Sequence, residues 1–344
     1  MFHQFREDRM AKSVRLADIA NKMGVSNVTV SKALADKDGV SDDLRRKIKK
    51  LAMEMGYRPK TPGTYRKGSK TGNIGIMIPS RFVDQKFSFY WDMYERVINW
   101  LTFYGYYGIL EILKSEDEDS LSLPRIVNDN KVDGLIVMGQ VKPGYMKHIY
   151  EEESIPVIFL DAYNSYYGCD AIISDGYYGM YMVTNYLLNM GHRDIKFVGT
   201  ISATSSISDR YFGYSRAMLE KGIAVTDDMI IPDRDLETGI LKVSLPDKMP
   251  TAFACNCDMT AYEIISALKE QGYRVPDDVS VVGFDNYILS EISNPRITTY
   301  EVDMDGMAKA SAERLIKKIN NKNYNPGLKI TVGKIIVKDS VKEL

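Results

Sequence analysis

Four aspartates stand directly behind apolar runs in this chain: Asp161 ends PVIFLD, Asp175 follows AIIS, Asp258 follows TAFACNC and Asp285 ends VSVVGFD. A carboxylate accepts several hydrogen bonds and its charge strengthens each, so such a set suits a ligand rich in hydroxyls. Asp175 and Asp258 each stand where a helix begins, and for those two helix N-capping is an equal reading. Arg210, in SDRYFGYSRAMLEKG, is the matching cation. Its planar fork either clamps ligand oxygens or pairs with one of the aspartates. Nearer the N-terminus, Ser26-Asn27-Val28-Thr29-Val30-Ser31-Lys32 gathers hydroxyls, an amide and an ammonium within one short stretch.

Catalysis is poorly supplied. No G-x-G-x-x-G follows the first apolar run, and neither G-x-x-x-x-G-K-[ST] nor G-x-S-x-G occurs, so no catalytic residue and no cofactor is assigned. His192, in a Gly-His-Arg turn ahead of an apolar run, reads as a structural turn residue. The three histidines lie far apart, and Cys255 and Cys257 form a C-x-C without a matching partner, so no metal site is expected. Three cysteines in all are too few for a disulfide framework and suit a reducing compartment.

The elements that must position these residues follow from charge and periodicity. Residues 10 to 70 hold fifteen Lys and Arg against six Asp and Glu, a balance of +9; with a net charge of −1 and a neutral first nine residues, residues 71 to 344 carry −10. A basic head joined to an acidic body is the pattern of a nucleic-acid-binding module attached to a part with another task. In the head, Leu16, Ile19, Ala20 and Met23 fall at helical spacing and Gly24 stops the helix; Ser26 caps a second helix, with Val25, Val30 and Leu34 facing the first. Ser41 opens a third, with Asp42 and Asp43 at its positive end and Leu44, Ile48, Leu51 and Met55 on one face. Two helices about a Gly-containing turn make a helix-turn-helix.

From Asn73 the chain alternates apolar runs (NIGIMI, YYGILEI, GLIVMG, PVIFLD, DIKFVGT, TAFACN, VSVVGFD) with amphipathic stretches. That pattern predicts parallel sheets covered by helices on both faces, in more strands than one compact half needs, hence two doubly wound lobes. Right-handed crossovers put the strand C-termini of each lobe on one edge, with a ligand between the facing edges. At 344 residues, 44% hydrophobic and 26% charged, the chain has the length and composition of a folded protein of two or three domains. It has no run of ~18 apolar residues and no secretory h-region, so a cytoplasmic, membrane-free protein is expected.

The head segments VRLADIANKMGVSNVTVSKAL and GVSDDLRRKIKKLAMEMGYRP closely resemble the DNA-binding head of the lactose/galactose repressor family of bacterial transcription regulators. The body resembles the same family through GHRDIKFVG, DRYFGYSRAMLEKG, PTAFACNCD, VPDDVSVVGFD, PRITTYEVDMDGMAKAS and the closing VKDS. The resemblance implies double-stranded operator DNA as one partner, with the second helix in the major groove. Asn27, Val28 and Lys32 then present side chains to bases, and Ser26, Thr29 and Ser31 touch phosphates or support the fold. It implies a body of the periplasmic-binding-protein type I fold that binds a small effector between its lobes and forms a homodimer. Carried over by position, the effector contacts are Arg210, Asp258, Asp285 and Asp161. Cys257 stands where the family usually has Asn, and an aromatic pair falls on Phe89 and Tyr90 within Phe87-Ser88-Phe89-Tyr90-Trp91.

The resemblance divides the chain into a head at 10–59, a connector at 60–72 and an effector-binding and dimerisation body at 73–344. The body's first lobe takes 73–175 and 303–325, and its second takes 176–302 and 326–340. At the connector this chain departs from the family: Arg66 replaces the usual wedge leucine, and Pro62 and Gly63 oppose a hinge helix, Gly63 alone costing ~1 kcal/mol. Arg66 is therefore expected to enter a minor groove as a cation. The whole reads as an effector-controlled regulator, a repressor, with a carbohydrate as effector. A purine or a phosphorylated protein is the alternative effector, and a sugar-binding module or an α/β enzyme the alternative function.

Overall fold

The computed structural model describes residues 16–34, 38–55, 70–83, 88–152, 155–163, 170–236, 238–321 and 324–344. The chain divides into two compact units, residues 1–69 and 70–344.

The first unit contains α1 (Leu16–Met23), α2 (Asn27–Leu34) and α3 (Asp42–Glu54). Gly24, at φ +64, takes the left-handed conformation that ends α1 and starts the turn. The Ser26 hydroxyl accepts from the Thr29 N–H at 3.1 Å, capping α2 in the way its type and position predict. Ile19, Ala20, Val30, Ala33, Ile48 and Ala52 are buried together, drawing one residue pair from each helix. Asn27, Val28, Ser31 and Lys32 remain exposed on the opposite side of α2.

In the second unit the chain runs β1 (Asn73–Pro79), α4 (Ser80–Val83), α5 (Phe89–Phe103), β2 (Tyr107–Leu113), α6 (Ser115–Asp119), α7 (Arg125–Asn128), β3 (Gly134–Met138), α8 (Pro143–Glu151), β4 (Val157–Leu160) and β5 (Ala171–Ser174). It then crosses to α9 (Gly176–Asn189), β6 (Ile195–Val198), α10 (Ser205–Glu220), β7 (Ile230–Ile231), β8 (Ala252–Cys255), α11 (Asp258–Glu270), β9 (Ser280–Val282), α12 (Ile288–Ile292) and β10 (Thr299–Glu301), and closes with α13 (Met304–Asn320), β11 (Leu328–Thr331) and β12 (Lys334–Ile336).

The strands form a six-stranded sheet, β11-β5-β4-β3-β1-β2, and a four-stranded sheet, β7-β6-β8-β9, every pairing within them parallel. Apart from the edge strand β2, which is only half-buried, the apolar runs bury both faces of their sheets. In the first lobe Ile74, Ile76, Ile136 and Ile158 point toward one core, while Met77, Leu135, Val137 and Phe159 point toward the other. In the second, α9 and α10 cross closely at Gly213, where an added Cβ would lie 2.1 Å from the Tyr177 carbonyl oxygen.

One boundary differs from the sequence-based division. Residues 326–340 do not all join the second lobe: β11 pairs in parallel with β5, from Leu328 opposite Ala171 to Thr331 opposite Ser174, and so extends the first lobe's sheet. Only the following β12 leaves it, pairing antiparallel with β10. LKIT lies at a sheet edge, largely exposed, and so lacks the continuous apolar run that marks the other strands.

Candidate DNA-reading face and interlobe cleft

The head presents one exposed polar face. Asn27, Val28, Ser31 and Lys32 project from the first two turns of α2, with Ser26 at its cap and Thr29 half-buried beneath. Ser26 and Thr29 hydroxyls lie 2.9 Å apart, so both act locally to hold the turn. Such a helix start, with its side chains free of the core, is the part of a helix-turn-helix that reaches base edges. Arg66 lies outside the described residues.

Between the lobes of the second unit lies a cavity of about 110 Å³, bordered by Phe82, Phe89, Tyr90 and Asp161 from the first lobe and by Arg210, Arg234, Asn256, Cys257, Asp258 and Asp285 from the second. The seven residues that the family resemblance assigns to the effector meet here, whereas Asp175, the fourth of the strand-end aspartates, does not. Their placement follows from the topology: Asp161 follows β4, Cys257 and Asp258 follow β8, and Asp285 follows β9, all at strand C-termini.

Arg210 is the centre of the second lobe's wall. Its Nη1 donates to the Asn256 carbonyl at 2.6 Å and its Nη2 to Asp285 Oδ1 at 3.0 Å, while its guanidinium lies 4.0 Å above the Phe284 ring. The Nε is buried and has no hydrogen-bond partner among the described residues. The Asp285 side chain is only 13% exposed; burial pushes its carboxyl up to about 6, opposed by the Arg210 charge and reinforced by Asp161. Its backbone, at φ +106, is strained for an L-residue, and Asn286 follows at φ +53. Lys338, almost fully buried, holds this turn by donating to Asn286 Oδ1 at 2.8 Å.

On the facing wall the Tyr90 hydroxyl donates to Asp161 Oδ2 at 2.8 Å, and Asp161 also adopts a left-handed φ of +59. Burial raises the carboxyl of Asp161 as well, against the lowering effects of Arg210 and of the Tyr90 hydrogen bond. Phe89 and Phe82 flank the Tyr90 ring at centroid distances of 5.5 and 4.8 Å. Trp91 does not join the cavity: it is exposed, with its indole N–H on the Val83 carbonyl at 3.4 Å. Phe87 lies outside the described residues.

Two assigned residues have structural duties that the sequence did not reveal. Asp258 is buried with both oxygens engaged, Oδ2 accepting from the Tyr287 N–H at 2.8 Å and Oδ1 from the Thr299 hydroxyl at 2.6 Å. It braces the segment after β9, and at 1% exposure its carboxylate is nearly closed off from a ligand. Cys257 is the N-cap residue of α11 without capping it through its side chain; its sulfur instead lies 3.8 Å from Arg234 Nη2 and 3.2 Å from the Thr260 hydroxyl. Asp175 caps α9 through the Tyr178 N–H at 2.9 Å. His192 is buried in its turn, bonded to the Thr251 hydroxyl and the Lys342 carbonyl at 3.0 Å each.

Sequence reasoning missed Arg234. It enters the cavity from the loop after β7, held by Asp233 through bonds of 3.0 and 2.7 Å. The signal was present in MIIPDRD, an apolar run followed by charged residues, but β7 is only two residues long. Ser88, Thr204 and Ser206 add hydroxyls to the same lining.

The model of bacterial regulatory proteins of the lacI family matches residues 15–60, and that of a periplasmic binding protein-like domain matches residues 184–341. The chain is 30% identical over 321 residues to the HTH-type transcriptional regulator RegA of Clostridium saccharobutylicum, covering 92% of this chain and 95% of that one. The chain belongs to the lacI family. It is also 28% identical over 334 residues to the HTH-type transcriptional repressor PurR of Vibrio campbellii, covering 96% and 99% of the two chains. Among solved structures, a transcriptional regulator CelR-cellobiose complex superposes with a TM-score of 0.68 at 20% identity, covering 95% of this chain and 99% of that one. The lac repressor dimer bound to operator and the anti-inducer ONPF gives 0.65 at 20% identity, covering 96% and 100%. This lacI-family chain is a DNA-binding transcription regulator, not an enzyme. No helix among the described residues is long and apolar enough to cross a membrane.

Proposed function

We propose that this chain is a repressor that binds a near-palindromic operator as a homodimer, and that a neutral carbohydrate in the interlobe cavity sets its operator affinity. The observation that carries the effector reading is the pairing across the cavity of Asp161 with Tyr90 on one lobe and Asp285 with Arg210 on the other. Carboxylates accept from hydroxyls, and aromatic faces suit the apolar side of a sugar ring. Because the walls belong to different lobes, a ligand that touches both favours one interlobe angle, and so changes the spacing of two heads on DNA. Asn27, Val28 and Lys32 read bases, with Ser26, Thr29 and Ser31 supporting the turn or touching phosphates. Arg66 enters a minor groove as a cation. The apolar surface offered by Phe103 and Tyr107, each about three-quarters exposed, supports a second copy as partner. Acting on chromosomal DNA places the protein in the cytoplasm.

The test is operator affinity, measured by fluorescence anisotropy on the full chain with and without a panel of carbohydrates and of purine bases. A carbohydrate-dependent change that Arg210→Ala removes, with ligand-free DNA binding retained, supports the proposal. A response to a purine base and to no carbohydrate overturns the effector reading.

A further inference from the structure

We propose that Asp133 is a positioning residue for operator binding: its carboxylate fixes the point at which the connector leaves the body, and with it the half-site spacing that two heads accept. The inference rests on the homodimer and near-palindromic operator proposed above. Thr71 and Gly72 end the connector, and both are bound to this one side chain. Asp133 Oδ1 accepts from the Thr71 N–H at 2.7 Å and from the Thr71 hydroxyl at 2.9 Å, and Oδ2 accepts from the Gly72 N–H at 2.9 Å. Hydrogen bonds to an ionised acceptor are roughly twice as strong as neutral ones, so three on one carboxylate make a firm anchor.

The surrounding bonds stiffen the exit. The Asn73 N–H donates to the Thr71 hydroxyl at 3.1 Å, and the Asn73 amide donates to the Lys131 carbonyl at 3.0 Å. The Gly72 carbonyl accepts from the Tyr107 N–H at 2.9 Å, and the Asp133 N–H donates to the Asn73 carbonyl at 2.8 Å. Gly72 lies at φ +74, the left-handed conformation, so the chain turns as it enters β1. Lys70 adds a bond from its ammonium to the Asn320 side chain at the end of α13. Because β1 lies between β2 and β3, the exit is held from both neighbouring strands. It stands at the strand N-termini, the end of the sheet opposite the effector cavity.

Half-site spacing is sensitive to such an anchor. One base pair added between half-sites rotates one of them by roughly 35° about the duplex and shifts it by ~3.4 Å. A connector tied at its last two residues has little slack to follow that change. Its sequence places further weight on the exit, because Pro62 and Gly63 oppose a helix that could fix the reach instead. Releasing Thr71 and Gly72 adds free chain to each head. Two loosely held heads accept more spacings, and each is less concentrated at the right one.

Fluorescence anisotropy on the full chain tests this. The probes are a duplex that the native chain selects from a random-sequence pool and copies of it with the half-sites moved apart or together by one and two base pairs. The native chain should favour one spacing about tenfold or more over its neighbours. In Asp133→Ala that preference should fall to about twofold, through weaker binding at the favoured spacing, with affinity for a single half-site unchanged. Asp133→Asn keeps one acceptor oxygen and should fall between the two. Thr71→Val removes the hydroxyl donor and leaves Asp133 in place, and it carries the test if Asp133→Ala fails to fold. The native spacing profile in folded Asp133→Ala, or in Thr71→Val where Asp133→Ala does not fold, overturns the anchor and leaves the homodimer reading standing. So does an equal loss at every spacing and at the single half-site, which a merely structural role would give. A native chain that binds every spacing alike overturns both.

Discussion

Gly213→Ala should uncouple the effector cavity through packing alone. Gly213 faces α9 where α10 packs against it. A Cβ there would sit 2.1 Å from the Tyr177 carbonyl oxygen and 2.9 Å from the Tyr181 nitrogen, both backbone atoms that no rotamer change can move. Restoring an ordinary contact of 3.4 Å requires α10 to retreat by about 1.3 Å. Overpacking of this kind costs ~1 to 3 kcal/mol, which for a unit of this size lowers the melting temperature by roughly 2 to 10 °C. Arg210 lies on the same helix, one turn earlier, and its 3.0 Å bond to Asp285 does not survive such a shift. Effector affinity should therefore fall together with stability. Gly144→Ala is the control, because nothing lies within 4 Å of its added Cβ; with less freedom to lose from the unfolded chain, that variant should gain up to about 1 kcal/mol. Calorimetric melting of both variants, with effector titration on each, reads the result. If Gly213→Ala melts no lower than the native chain, the crossing is not the tight contact described.

Asn27→Ala and Lys32→Ala should each relax base preference at one operator position by about 1 to 3 kcal/mol, read by competition binding on singly substituted operators. A uniform loss over all sequences would reduce both residues to phosphate contacts. Since burial pushes Asp285 up to about 6, its carboxylate is about one-tenth ionised at pH 5 and about nine-tenths at pH 7. Affinity for a hydroxyl-donating effector should rise roughly tenfold over that range, and Asp285→Asn should flatten the profile. The sign for folding is opposite: the native carboxyl holds its proton above its unfolded value, so this group's contribution to stability falls as pH rises from ~4 to 6. A native affinity profile without slope would remove Asp285 from the contact.

Local order in this chain determined a good deal. Gly24 ends α1, Ser26 caps α2 and the apolar spacing of Leu44, Ile48 and Leu51 orients α3; each acts within one or two helical turns and is visible in a short window. Most of the apolar runs from NIGIMI to VSVVGFD likewise became strands buried on both faces, because a chain segment with no polar side is stable only inside; YYGILEI, with its Glu111, became the half-buried edge strand β2. Placing Asp161, Asp258 and Asp285 at strand C-termini then followed from parallel topology.

What the tertiary structure alone decided is how those groups are spent. Arg210 meets Asp285 across 75 residues of sequence, and Asp258 gives both oxygens to Tyr287 and Thr299, partners that no window of sequence brings together. Arg234 reaches the cavity from the loop behind a two-residue strand, and β11 joins the first lobe on hydrogen bonds from an exposed edge, without an apolar run to announce it. Residue type and spacing record which face is buried. Which acceptor a given donor satisfies depends on long-range geometry, because many side chains could meet it and packing admits one.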